Sequence, residues 1–145
     1  DGASCLLAIQ NIDEIGPVFA DAAKVLKPGA KLVIVMNHPS FRQLRQSGWG
    51  WDENRKLQYR RVDKYLGTYD VPVQAHPGAA PDIVTHSFHR PLQAYVKALA
   101  KHGFSVVDLE EWTSHKTSDS GPKAKAENAS RMEIPMFLAL AAKKS

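Results

Sequence analysis

One run of six residues, 31–36 (KLVIVM), constrains the fold of this chain most strongly. Its β-branched and apolar side chains occupy successive positions, which predicts a strand that is buried on both faces. A helical pattern leads into it: apolar residues recur every three to four positions between 18 and 26. Pro17 suits the first helical position, and Pro28-Gly29 ends the helix.

The other elements extend this alternation of strands and helices. Residues 4–9 (SCLLAI) predict a strand buried on both faces, and a second helix is predicted from about Pro91 to Gly103. The rest are a strand at 104–112, a polar segment at 113–133 with one helical turn around 124–130, and a last apolar strand at 134–142. Such alternation predicts an α/β fold with parallel strands and crossover helices.

The predicted crossovers leave one face of the sheet without a helix. Right-handed connections that progress in one direction place both helices on the same face. Leaving Leu6, Val33 and Val35 in water on the other face would forfeit roughly 1.5–3 kcal/mol each, against a typical stability of about 5–15 kcal/mol. We therefore expect a cover, which is the insertion described next, a second copy of the chain, or sequence outside these 145 residues.

Residues 40–85 interrupt the alternation and predict an insertion with structure of its own, because they concentrate Trp and Tyr. Turn signals occur there at Gly48, Gly50, Pro77-Gly78 and Pro81. Residues 42–65 hold seven Lys and Arg against three Asp and Glu, an excess equal to the net charge of +4 of the whole chain. Such a segment is usually a solvated face, but the interleaved aromatic residues leave open an RNA or phosphate-bearing ligand.

Polar residues gather where a functional site is expected. In open α/β sheets, ligands collect beyond the carboxyl ends of the parallel strands. The residues predicted at that rim are Gln10, Asn11, Asn37, His38, His89 and Arg90. His38 and His89 are candidate general bases, because an imidazole pKa near 6.5 suits proton transfer. The alternatives are a histidine that caps a turn and amides that satisfy backbone groups.

Several other functions are not predicted. His38, His86 and His89 are joined by no Cys or acidic ligand at a recognised spacing, so no metal site is expected. Cys5 is the only cysteine, which excludes an internal disulfide and suggests a buried thiol in a reducing cytoplasm. The first residues lack the pattern of a secretory leader, and the longest apolar run, 134–142, is too short for a membrane helix.

The order of three segments resembles the second half of a class I S-adenosylmethionine-dependent methyltransferase. They are 4–13 (SCLLAIQNID), 24–29 (KVLKPG) and 31–39 (KLVIVMNHP). The family's VLKPGG-like turn before its fifth strand reads VLKPGA here. Downstream, 89–104 (HRPLQAYVKALAKHGF), 105–112 (SVVDLEEW) and 134–143 resemble its next helix, its sixth strand and the antiparallel seventh strand between the fifth and sixth.

The resemblance implies the C-terminal portion of a methyltransferase domain. The fold would be a partial doubly wound, Rossmann-like sheet, mostly parallel with an antiparallel last strand, in a single domain over 1–145 with 40–85 as a substrate-side cap. S-adenosylmethionine would lie near Gln10 and Asn11. Its site would be incomplete, since the family's first three strands, Gly-rich loop and acidic ribose ligand have no counterpart here.

The resemblance also assigns roles to the acceptor side. A small-molecule or nucleic-acid methyl acceptor would be bound by Asn37, Trp49, Trp51, Tyr59, Arg61 and Arg90. His38 or His89 would serve as the base. By itself the chain is expected to be inactive and to need the missing half or a second copy. The alternatives are an RNA- or polyanion-binding module that uses residues 42–69, and an assembly protein that oligomerises through its first strand and bare face.

Overall fold

The computed structural model describes residues 1–74 and 84–145, so the turns predicted at Pro77-Gly78 and Pro81 lie outside the described residues. In chain order its elements are β1 (Gly2–Leu6), a 3-10 turn (Ile9–Asn11), α1 (Ile15–Val25), β2 (Lys31–Asn37), β3 (Ser47–Asp52), β4 (Leu57–Val62), β5 (Tyr69–Gln74), β6 (Val84–His89), α2 (Leu92–Lys101), β7 (Phe104–Trp112), α3 (Ala124–Glu133) and β8 (Phe137–Lys144).

Four of these strands form the central sheet, in the order β1-β2-β8-β7. β1 pairs with β2 in parallel, whereas β8 is antiparallel to both of its neighbours. The last strand therefore inserts between two earlier ones, as predicted. The prediction of an α/β fold is confirmed, but the sheet is mixed: because β8 separates β2 from β7, two of its three ladders are antiparallel rather than mostly parallel.

Two helices cover one face of this sheet and form the core with it. α1 contacts α2, and α2 contacts β7. Ile34 and Leu140 are paired across the β2–β8 ladder, and both are fully buried beneath Phe19 and Leu99 of the helices. Burying side chains of this size contributes about 1.5–3 kcal/mol each. The apolar pattern of 31–36 therefore places half of its residues in this core.

The opposite face is open along β1 and the neighbouring part of β2. Leu6 of β1 is 62% exposed, although the sequence predicts residues 4–9 to be buried on both faces. That prediction is wrong within this chain, because β1 has a free edge among the described strands and no helix lies over its outer face. The strand also ends early: Leu7 adopts a positive φ of 53°, and Ile9 then turns into the core.

The described part of the insertion contains the hairpin β3–β4 and a second antiparallel strand pair, β5–β6. The second helix, predicted from about Pro91, is α2 (Leu92–Lys101), and the preceding residues, Val84–His89, form β6. The single helical turn predicted near 124–130 is the full helix α3, which packs on β4. β8 begins only at Phe137, because the nitrogen of Pro135 cannot donate a ladder hydrogen bond. No helix in the described ranges has the length and apolar character needed to cross a membrane.

Candidate functional site

The loop after β1 lies against β6 at the carboxyl edge of the sheet. Arg90 fastens it there: its guanidinium donates to the carbonyl oxygens of Ile12, at 3.0 Å, and Asp13. Arg90 is only 9% exposed, and its Nη1 is buried without a hydrogen-bond partner among the described residues. A buried cationic donor of this kind holds the loop in place and retains capacity for a further acceptor.

Gln10 and Asn11 lie in the 3-10 turn of this loop, at the rim where the sequence predicts them. The Gln10 amide donates from Nε2 to the carbonyl of Leu7 at 2.7 Å. Its Oε1 is buried and has no described hydrogen-bond partner, whereas Asn11 is exposed. An unpaired buried carbonyl oxygen costs free energy unless a ligand or water donates to it.

His89 lies at the end of β6 and lines a cavity of about 400 Å³ with Asp13, Tyr69, Asp70 and Arg90 among others. Its Nε2 bonds the carbonyl of Tyr65 at 2.8 Å, and its ring stacks on Tyr69 at 4.7 Å. Burial, assisted by the charge of Arg90, lowers the pKa of His89 below 6.5 despite the opposing bond to Tyr65. The imidazole is therefore neutral at neutral pH, with the proton on Nε2 and no described partner at Nδ1.

His38 follows β2 at the same edge, but its surroundings differ. It is 4% exposed, and its Nδ1 accepts the backbone N–H of Ser40 at 3.1 Å. Because Nδ1 is an acceptor, Nε2 carries the proton and donates to Glu111 Oε1 at 2.8 Å. Both ring nitrogens are engaged, and this arrangement suits a side chain that holds the turn after β2.

The three histidines considered for a metal do not share a partner. His86 bonds Asp70 through Nδ1 at 2.8 Å, whereas His38 and His89 bond Glu111 and the Tyr65 carbonyl respectively. Among residues 1–74 and 84–145, no cluster of three or more His, Cys, Asp or Glu side chains is arranged to hold a metal ion.

The predicted acceptor residues on the first hairpin divide between its two faces. In the β3–β4 register Trp49 lies opposite Arg60, and Gly50 lies opposite Tyr59. Paired residues share a face and alternate along each strand, so Trp49 and Trp51 point to one side and Tyr59 and Arg61 to the other. Asn37 lies directly opposite Phe137 in the sheet. The structure therefore does not bring the four hairpin residues together.

The face of the hairpin that carries Trp49 is basic, through residues the sequence analysis did not single out. The Arg60 guanidinium lies 5.1 Å from the Trp49 ring centre and donates from Nε to the carbonyl of Phe41 at 2.6 Å. Arg131 of α3 lies over the same ring at 5.7 Å. The alternation of side chains along β4 was the sequence signal that could have predicted Arg60 on the same face as Trp49. No local pattern links Arg131 or Glu111, which come from distant segments, to these positions.

Several solved structures that match this chain are S-adenosylmethionine-dependent methyltransferases. An enzyme of this class from Mesorhizobium loti is 25% identical, with a TM-score of 0.73, over 99% of this chain and 62% of its own. A protein assigned to the same class from Listeria monocytogenes is 20% identical, with a TM-score of 0.69, over 99% of this chain and 61% of its own. The glycopeptide N-methyltransferase MtfA bound to S-adenosylmethionine is 14% identical, with a TM-score of 0.54, over 99% of this chain and 57% of its own.

These matches confirm the resemblance found in the sequence: the chain has the fold of part of an S-adenosylmethionine-dependent methyltransferase domain. It spans about three-fifths of the length of the structures it matches. Their shared dependence supports S-adenosylmethionine as the cofactor of this fold. No model of a known protein family matches the chain, and a search of curated proteins finds no match.

Proposed function

We propose that this chain is the C-terminal portion of a methyltransferase that transfers a methyl group from S-adenosylmethionine to an acceptor bound beneath the hairpins. The observation that carries the proposal is the loop after β1. It presents the unpartnered Gln10 Oε1 and is fastened by Arg90 beside the neutral His89. The likeness to methyltransferase structures supports the same reaction class.

The residues at the end of β1 fit the cofactor. A methyl sulfonium supplies an electrophilic carbon to whatever nucleophile lies in line with it. Gln10 Oε1 is an acceptor without a described donor, and such an atom suits the ammonium or amino groups of an amino-acid or adenine moiety. Asn11, exposed on the same turn, adds a second amide that can reach the ligand.

We assign the role of base to His89, with His38 holding the turn. An acceptor that received a methyl group would have to lose a proton. The Nδ1 of neutral His89 has no described partner, so it could accept this proton. The other predicted base, His38, has its acceptor nitrogen occupied by Ser40.

We further propose that the isolated chain has little or no activity. In doubly wound sheets the ligand lies at a switch point between two neighbouring strands. Here β1 provides one wall, and no described strand lies beyond its free edge. A ligand at Gln10 would then be held from one side only.

An amide NMR titration of the ¹⁵N-labelled chain with S-adenosylhomocysteine tests this function. We expect weak binding, with shift changes concentrated in the backbone amides of residues 10–13 and 89–90. Gln10→Ala should reduce the response. Gln93→Ala, on the exposed surface of α2, is the matched control and should leave it unchanged.

Two results would count against this proposal. Shift changes confined to regions far from the loop after β1 would contradict the cofactor placement. A micromolar affinity would show that one wall is sufficient, and the proposed inactivity would then be wrong.

A polyanion-binding module is the second candidate, favoured by the cations of segment 42–69 near Trp49. Single-stranded nucleic acids bind such modules by stacking bases on aromatic rings. Around this hairpin, however, Arg60 and Arg131 already lie over Trp49, and Lys123 lies over Trp51 at 4.5 Å. These contacts leave less ring surface for bases, so we rank this candidate second.

A further inference from the structure

A second pocket, of about 340 Å³, lies between the first hairpin, the loop after β7, α3 and the start of β8. Arg42, Lys116 and Arg131 supply three cations to its wall, and Trp49 and Phe137 supply aromatic rings. No Asp or Glu is among its described lining residues. It is separate from the cavity that His89 lines.

The guanidinium groups at this pocket contact aromatic rings, and Arg131 Nε also donates to the Ser118 hydroxyl at 3.2 Å. Arg42 lies 4.7 Å from the centre of the Phe137 ring, and Arg131 lies over Trp49. Neither arginine forms an ion pair with a described residue. Arg60, whose guanidinium also lies over Trp49, has a lowered pKa because it is partly buried and close to the charge of Arg42. Positive charge is thus concentrated among the lining residues of this pocket, although Arg131 also borders a neighbouring pocket that contains Asp119 and Glu127. A local excess of cations favours an anionic ligand.

We propose that this pocket binds a phosphate monoester group carried by the methyl acceptor; the acceptor assignment rests on the proposed function. Three neighbouring cations match a dianion better than a monoanion, and guanidinium groups form paired hydrogen bonds with phosphate oxygens. The volume lies at the low end of small-molecule sites. Phe137 lies directly opposite Asn37, which places the pocket at the carboxyl edge of β2.

Calorimetric titration of the chain with inorganic phosphate, and with acetate at equal ionic strength, tests the pocket. We expect phosphate to bind more tightly than acetate. Arg42→Gln and Arg131→Gln should each weaken phosphate binding by about tenfold, since each removes a charge-assisted donor. Lys97→Gln is the control, because Lys97 is an exposed cation of α2 that does not line the pocket. Circular dichroism should confirm that each variant is folded.

Three results would overturn the pocket assignment: equal phosphate affinity in all folded variants, acetate binding as tightly as phosphate, or tight, salt-sensitive binding of a single-stranded oligonucleotide without binding of phosphate. The last would favour the polyanion module. Phosphate binding without any response to S-adenosylhomocysteine near Gln10 would contradict the acceptor assignment alone. The opposite pattern would contradict the pocket and leave the proposed function standing.

Discussion

His38 and His89 have the same side chain at the same edge of the sheet, yet their neighbours give them different chemistry. The backbone N–H of Ser40 donates to Nδ1 of His38, and Nε2 of His38 donates to the Glu111 carboxylate. At His89 a carbonyl fixes the proton on Nε2, and burial disfavours the charged ring. The partner of each nitrogen, more than the residue type, decides which histidine is suited to accept a proton.

The lowered pKa of His89 makes a testable pH prediction. As pH falls through 6.5, the ordinary value, the unfolded chain takes up a proton at this residue before the folded chain does. This residue therefore lowers the free energy of unfolding as the solution becomes more acidic. His89→Gln should reduce the difference in stability between pH 7.5 and pH 5.5, measured by urea denaturation.

A direct control is an NMR titration of the His89 ring protons, which should give a pKa below 6.5. A value at or above 6.5 would show that the ring is not desolvated, and the assignment of His89 as a base would lose its support.

Gly50 is needed where Tyr59 crosses the first hairpin. A Cβ at Gly50 would lie less than 3.0 Å from the Tyr59 ring, so the exposed ring must move away. We expect Gly50→Ala to destabilise the chain by about 1 kcal/mol, the low end for overpacking, since Tyr59 is 43% exposed and can shift. Gly48→Ala on the same strand meets no described atom within 4 Å and should cost less. Equal unfolding midpoints for the two variants would contradict this role.

At the level of elements, α2 obtains its N-terminal cap from another segment. Its first turn follows Pro91 without a side-chain cap of its own, and the backbone N–H of Leu92 donates to the hydroxyl of Tyr65 at 3.0 Å. We expect Tyr65→Phe to lower the free energy of unfolding by about 1 kcal/mol, as for other lost caps. Tyr59→Phe removes an exposed hydroxyl with no described hydrogen bond and should be close to neutral. If both variants unfold at the same denaturant concentration, the cap contributes nothing.

The elements that the sequence predicted well are those whose signal is local. The apolar, β-branched composition of residues 31–36 predicts β2, and Pro28-Gly29 predicts the end of the helix before it. The hairpin at 47–62 has a local signal too, since Asp52 Oδ1 accepts the backbone N–H groups of Asn54 and Arg55 in its turn. This turn sets the register of the hairpin, and the register predicts that Arg60 and Arg61 lie on opposite faces.

Other features could not be read from neighbouring residues. Glu111 meets His38 across 73 positions, and Tyr69 bonds Gln43 at 2.7 Å across 26. Such pairs depend on how the sheet and hairpins pack, so neighbouring residues in the sequence could not identify these partners. The assignment of hairpin residues to the methyl acceptor remains a prediction.

Considered as a whole molecule, the chain has a sheet with unequal faces. Helices α1 and α2 cover one side, while Val33 and Val35 on the other are only partly shielded and Leu6 is 62% exposed. An open apolar face beside the free edge of β1 is the usual signature of a surface that another chain or segment covers. In a solution of the isolated chain, a second copy could supply such a cover.

We therefore expect the isolated chain to associate as its concentration rises, which light scattering coupled to size-exclusion chromatography can measure. Leu6→Glu places a charge on the open face and should shift the chain toward monomer. Val25→Glu also removes an exposed apolar residue, 79% accessible, but from the end of α1 on the covered side. It should therefore leave association unchanged. A monomer at every concentration would contradict this prediction. Exposure of the open face to water would then cost less free energy than its apolar area suggests.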